Sequence, residues 1–319
     1  LFAFGIEPEI GVGHDLERPN LRKTFMNNTK PTPGKPAQII LDGKTIECPT
    51  FVGTENEKAF DISKLRDSTG YVTFDNGYAN TSPTTSSVTF LDGDKGILQY
   101  RGYPIEQLAE QATFLETAYL LINGEFPSKT ELDAFNNEII ANQNVDEKFL
   151  KIFEAFPKNA HPMAMLTAAT VGLSTIYAGE TDPANKDHTK KSMLRLLGQF
   201  PVLAAAAYRH GKGEKAIAPN PKLDYCSNFM TMMFAKDASY TVPKEIVAAL
   251  NLLLILHADH EQNCSTSTVR LVGSAAANLY ASIAGGITAL WGPLHGGANQ
   301  AVMEMLQEIQ KDGGDVNKA

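Results

Sequence analysis

The sequence predicts a mainly α-helical fold with a small β-hairpin region near its N-terminal end. Three observations carry this. From Pro104 to Ile309, apolar residues recur at helical spacing in stretches bounded by capping and glycine stop signals. Strand signals are confined to the residues before that, where Asp-Gly turns separate short apolar runs. Several helical stretches are apolar on most sides, so they bury helix against helix.

The elements follow in order. Asn27 to Pro36 is polar with three prolines and reads as a flexible lead-in. Gln38 to Glu47 reads as a hairpin turning at Asp42-Gly43. Val88 to Tyr100 reads as a second, around Asp92 to Gly96. The Asp-Gly-Asp there lacks the spacing of a calcium loop and reads as a plain turn. Pro104 suits the first position of a helix. Phe114 to Ile122 is apolar and stops at Asn123-Gly124. Ser128 and Glu131 form a capping box. Phe149, Ile152, Phe153 and Phe156 make a core stripe. His161-Pro162 precedes a small-residue helix, Met163 to Tyr177, and His161 has both a functional and a buried structural reading. A polar loop spans residues 179–188. Lys190, Lys191 and Arg195 lie on a helix with Leu194, Leu196 and Leu197. Val202 to Tyr208 is small and apolar. His210 to Glu214 lacks the spacing of a phosphate loop and reads as a connection. Tyr225 to Phe234 is a methionine-rich core helix.

Residues 247–310 concentrate the chemistry. The apolar run Leu252 to Leu256 delivers His257, Asp259, His260 and Glu261. His257 and His260 share a face if the helix persists to His260. Ser265 to Thr268 supplies N-cap candidates for the next helix. Further on, Gly292-Pro293 breaks a second apolar helix. Gly296 and Gly297 are read as a tight turn, so that His295 sits just before the N-terminus of a helix over Ala298 to Ile309. The positive end of the helix dipole favours a neutral imidazole there, able to donate one N–H to a developing enolate oxygen.

Long motifs give this stretch a family. LILHADHEQNCSTSTVRLVGSAAAN followed by LWGPLHGGANQAVMEML resembles citrate synthase of the Gram-negative-like bacterial subtype. TFDNGYANTSPTTSSVTFLDGDKGILQYRGYPIEQLAE, AHPMAMLTAATVGLSTIY and LDYCSNFMTMMF carry the same resemblance. It runs from about Gln38 to Ile309. It implies a citrate synthase-like multi-helical large domain and the condensation of acetyl-CoA with oxaloacetate, followed by hydrolysis of citryl-CoA. His295 then matches the catalytic histidine that hydrogen-bonds the enol oxygen. His260 and Asn263 match the oxaloacetate pocket. The family's catalytic aspartate, its Gly-x-Gly-His segment and its oxaloacetate-binding arginines have no counterpart up to Ala319. The chain therefore reads as a fragment, inactive alone, with the small domain mostly missing. The domains read as a leader and lead-in at 1–36, a β-rich region at 37–103, the helical large domain at 104–294 and the start of the small domain at 295–319. Residues 1–25 resemble nothing in the family, and Met26 is read as the start. The subtype is often inhibited by NADH, and Tyr177 and Arg195 fit that allosteric site by position, although basic residues are absent around Ala141-Asn142 and at Gln199.

Composition bounds the partners. A net charge of −8 over 319 residues argues against non-specific nucleic-acid binding. Cys48, Cys226 and Cys264, without CxxC spacing, read as reduced thiols of a cytoplasmic protein. No apolar run reaches the length of a membrane span. Small-molecule substrates and a homo-oligomer, dimer or hexamer, are expected, with no cofactor and no metal. Two other readings compete. One is a non-catalytic helical assembly protein on the same scaffold, while 2-methylcitrate synthase acting on propionyl-CoA is a close variant of the enzyme reading itself. The other is a metal site at His257 and His260, which lacks a third ligand and the HExxH pattern. The enzyme reading predicts that His260 and His295 approach a common cleft, with helices Thr266–Asn278 and Tyr280–Trp291 antiparallel or crossing between them.

Overall fold

A computed structural model describes residues 31–78 and 80–313, with the side chain of Asn299 excepted. The leader reading and Met26 lie outside the described residues. Contacts divide the chain into two compact units, with the division between Glu110 and Gln111.

The first unit holds short antiparallel sheets. Its strands are β1 (Thr32–Pro33), β2 (Ala37–Leu41), β3 (Lys44–Cys48), β4 (Thr50–Val52) and β5 (Lys58–Phe60). After a helical turn, α1 (Leu65–Thr69), come β6 (Thr89–Asp92), β7 (Ile97–Tyr100) and β8 (Tyr103–Pro104). Both expected hairpins form. β2 pairs with β3 from Ala37↔Cys48 to Leu41↔Lys44, and Asp42 and Gly43 both take positive φ at the turn, as a two-residue hairpin loop requires. β6 pairs with β7 across residues 93–96, where Lys95 Nζ closes the loop onto Asp92 at 2.8 Å. Two readings are corrected here. Thr32–Pro33 pairs with Phe51–Val52, so part of the lead-in is strand; proline is tolerated on such an edge. Pro104 ends β8, opposite Gln99, and the helix begins one residue later.

Helices fill the rest: α2 (Ile105–Gln111), α3 (Phe114–Asn123), α4 (Lys129–Asn142), α5 (Glu147–Leu150), α6 (Pro162–Ile176), α7 (Lys186–Lys212), α8 (Tyr225–Phe234), α9 (Lys244–Leu256), α10 (Cys264–Ser274), α11 (Leu279–Leu290) and α12 (Pro293–Lys311). The capping box at Ser128 and Glu131 is present, and Thr113 with Glu116 forms another. Gly124, at φ +91°, ends α3 as the Asn-Gly pair predicts. The main core joins α6, α7 and α11 through Met165, Leu166, Ala169, Leu173, Leu203, Ala206, Ala207, Tyr280 and Ile287. Phe153 enters it from a 3₁₀ turn after α5, with Phe149, Ile152 and Phe156 packed beside it.

The stretches around Leu194 and Val202 are one helix, α7, which runs through Pro201 and ends at Lys212 with Gly213 as its left-handed cap. A proline inside a helix leaves the carbonyl four residues back without its amide partner. Here that carbonyl is Leu197 O, and the Tyr225 hydroxyl of α8 donates to it at 2.9 Å. Burial holds the Tyr225 phenol well above its usual range, so it remains a donor. Tyr225→Phe leaves the carbonyl unsatisfied and is expected to lower stability by about 1–3 kcal/mol. Chemical denaturation followed by circular dichroism checks this, and an unchanged midpoint would refute it. Among the described residues, no helix is long and apolar enough to cross a membrane.

Candidate functional site

The site is built where three helix ends meet: the C-terminus of α11 and the N-termini of α10 and α12. Asn263 is the N-cap of α10, its backbone extended and its Oδ1 accepting from Thr266 N–H at 2.9 Å. This corrects the expectation that Ser265 to Thr268 cap the helix; these residues form its first turn. An α-helix leaves its first N–H groups without intrahelical acceptors. Asn263 satisfies one of them. The N–H of Ser265 finds its acceptor 30 residues away, in His295 Nε2 at 3.2 Å.

His295 reaches that position because α12 begins earlier than expected. Gly292 is the only residue of extended backbone between the two helices, and Pro293 opens α12, since proline tolerates the first helical position. His295 is thus inside the first turn, with its N–H directed at Gly292 O at 3.0 Å. Gly296 and Gly297 are helical too and make no turn. Gly296 serves close approach: a Cβ there would lie 2.0 Å from Leu290 O. Close approach recurs between α10 and α11, where a Cβ on Gly286 would meet Val269 Cγ2 at 2.7 Å. This brings Ser265 Oγ within 3.0 Å of Gly286 O and 2.7 Å of His295 Nε2.

The donor geometry fixes the tautomer. A backbone N–H can only donate, so the Nε2 that faces Ser265 N–H carries no proton. The Ser265 hydroxyl donates to Gly286 O and lies beside the same nitrogen, and with Nε2 accepting from the Ser265 N–H the ring proton resides on Nδ1. Among the described residues, Nδ1 has no hydrogen-bond partner, and no carboxylate is hydrogen-bonded to the ring. The half-buried imidazole therefore keeps one N–H donor that no described residue engages. In the sequence Ser265 reads only as an N-cap candidate, and its place beside His295 is not legible there. The signal that locates it is the unfilled donor next to the Asn263 cap.

The other expected residues fall as follows. α9 ends at Leu256, so His257 and His260 are not on one helix. Their rings still lie 6.0 Å apart, because the chain turns back: His257 Nδ1 is 2.8 Å from Leu253 O and His260 Nε2 is 2.9 Å from Leu256 O. His260 is exposed, three residues before Asn263. α10 and α11 pack against each other between Asn263 and His295, α10 starting two residues and α11 one residue before the expected connecting helices. Among the described residues, no three metal-ligating side chains converge. Tyr177 and Arg195 do come together. The guanidinium lies 3.9 Å from the centre of the Tyr177 ring and pairs with Glu180. Hydrogen bonds from Lys191 and Arg195 hold the Glu180 carboxyl well below its usual range, at about 2. The Tyr177 hydroxyl is engaged by Gln199 Nε2 at 2.6 Å, and its ring stacks on buried Tyr280. These contacts tie α7 to the end of α6 and the start of α11. His161 is the N-cap of α6; its Nδ1 accepts from Met163 N–H at 3.2 Å, and its ring stacks on Trp291.

Comparison with known proteins places this arrangement. Residues 77–319 match the family model described as citrate synthase, C-terminal domain. The chain is 48% identical over 283 residues to citrate synthase 1 of Mycobacterium tuberculosis, covering 88% of this chain and 66% of that protein. It is 47% identical over 296 residues to the citrate synthase of Corynebacterium glutamicum, covering 92% and 68%. Among solved structures, citrate synthase from Pyrobaculum aerophilum matches with a TM-score of 0.66 and 32% identity, over 73% of this chain and 59% of that one. The Thermoplasma acidophilum enzyme, solved as a ternary complex with carboxymethyl coenzyme A and oxaloacetate, matches with a TM-score of 0.69 and 28% identity, over 74% and 61%. The chain thus spans about two thirds of the length of these curated relatives.

Proposed function

Because the chain belongs to the citrate synthase family, we propose that it carries the histidine side of a site that condenses acetyl-CoA with oxaloacetate to give citrate and CoA. One observation carries the reading: His295 Nε2 is occupied by Ser265, so a neutral imidazole offers Nδ1–H. When a base removes a methyl proton from the thioester, negative charge gathers on the thioester oxygen. A preorganised N–H aimed at that oxygen stabilises the charge without reorganising at the moment of reaction. The enol carbon then attacks the oxaloacetate ketone carbon, forming citryl-CoA. Water cleaves its thioester to citrate and the CoA thiol.

Oxaloacetate is assigned to the loop before α10. Asn263 spends its Oδ1 on the cap and keeps its Nδ2 donors for a carboxylate. His260, exposed and anchored through Nε2, keeps its other ring edge for the same ligand. The base is assigned to none of the described carboxylates. We therefore expect the 319 residues alone to release no CoA above background, and the chain joined to the C-terminal part of the Corynebacterium enzyme to do so.

The test is a thiol assay with and without oxaloacetate. In the joined chain, His295→Ala is expected to lower turnover at least about 100-fold, the scale of losing one oxyanion donor. Turnover that survives the substitution, in a chain whose circular dichroism is unchanged, would remove His295 from the reaction. Oxaloacetate-dependent release by the 319 residues would overturn the inactivity. Propionyl-CoA run beside acetyl-CoA decides between citrate and 2-methylcitrate as product.

A further inference from the structure

We propose that His161 is a positioning residue for His295, acting through Trp291. The proposal rests on the reading that His295 is the reacting imidazole. The path is short. Trp291 caps the C-terminus of α11, and a single extended residue, Gly292, separates it from α12. The direction in which α12 leaves, and with it the aim of His295, is set by that one elbow. Among the described residues, the body of the helix is lightly packed. Its strongest packing is on α11, and Val302, Met303, Met305 and Leu306 on its body are 44–56% exposed.

His161 supplies a fixed surface for the elbow. As N-cap of α6 it accepts from Met163 N–H, and Pro162 follows at the first helical position. α6 in turn is seated in the main core through Met165, Leu166, Ala169 and Leu173. The imidazole is therefore held from the core side. It stacks on Trp291 with ring centres 4.9 Å apart and planes inclined by 27°. Trp291 is 44% exposed, and this stack lies on the covered part of its ring. An aromatic pair stabilises the side chains it orders beyond its buried area. Here the ordered ring belongs to the residue from which the elbow departs.

The two roles of His161 separate by substitution. His161→Asn keeps a good helix cap and removes the ring. His161→Phe keeps a ring and removes the cap. Trp291 is the only tryptophan in the sequence, so its fluorescence reports the elbow without ambiguity. The imidazole ¹⁵N shifts of His295 report whether Nε2 still accepts from Ser265. In His161→Asn, acrylamide quenching of Trp291 should rise toward that of an exposed indole. The ratio of the Nδ1–H to the Nε2–H tautomer at His295 should fall roughly two- to tenfold, the scale of one aromatic pair. His161→Phe should restore both readouts to near the parent values. If the Asn variant matches the parent in both, or if Phe restores neither, the proposal is overturned and His161 is a cap only. Neither readout uses turnover. The expected pattern in a chain that never forms citrate would discredit the assigned reaction and leave the positioning intact.

Discussion

Gly296→Ala is expected to destabilise the α11–α12 elbow by about 3 kcal/mol, the upper end of what overpacking costs. The added Cβ would sit 2.0 Å from Leu290 O. The obstacle is a backbone carbonyl at a helix terminus, which cannot swing aside as a side-chain tip can. α12 must then lift from α11, taking His295 Nε2 away from Ser265. The neighbouring glycine supplies the control. At Gly297 a Cβ would meet Pro293 Cβ at 3.7 Å, an ordinary contact. Replacing a helical glycine by alanine where there is room gains about 0.5–1 kcal/mol. The two substitutions, one residue apart and chemically identical, are therefore expected to have opposite signs. Denaturation midpoints and the emission maximum of Trp291 measure both. Two stabilised variants, or two equally destabilised ones, would show that the elbow is not packed as described.

What the sequence made legible was local. Asp42-Gly43 specifies its own hairpin turn, Asn123-Gly124 its own helix stop, and Ser128 with Glu131 its own cap, because each signal is complete within a few residues. The family resemblance extended this to the helical architecture. The misread positions are instructive for the same reason. Pro104 and Pro293 both carry a proline's local preference, yet one closes a strand and the other opens a helix. Pro201 does neither, since a tyrosine from another helix satisfies the carbonyl that it strands. Gly296 and Gly297 read as a tight turn, whereas both are helical and Gly296 is there for clearance. In each case the deciding partner is far along the chain. Ser265 is the clearest instance: nothing within ten residues of it explains its N–H, and the acceptor lies 30 positions on. The pairing of Thr32–Pro33 with Phe51–Val52 was invisible on the same ground.

The placement of His295 by its first turn, and not by the body of α12, has a consequence that two leucines test. Leu203 of α7 is fully buried in the core that also seats Tyr280 and Ile287 of α11. Leu203→Ala removes buried methyl groups and leaves a cavity, at a cost of about 2–5 kcal/mol. Because the core fixes α11, and α11 leads to the elbow, this loss should also loosen the Trp291 stack. Leu306 of α12 is 44% exposed and, among the described residues, lies outside the core clusters around α6, α7 and α11, around α3 and α4, and around Val202 and Met232. Leu306→Ala is expected to stay within about 0.5 kcal/mol of the parent, as surface substitutions do, and to leave the His295 tautomer unchanged. The comparison reads the two effects on one scale, by urea denaturation of the same 319 residues. A Leu306→Ala cost approaching that of Leu203→Ala would mean that the apolar face of α12 is covered in solution. The aim of His295 would then depend on whatever covers it, and the single-elbow account would fail.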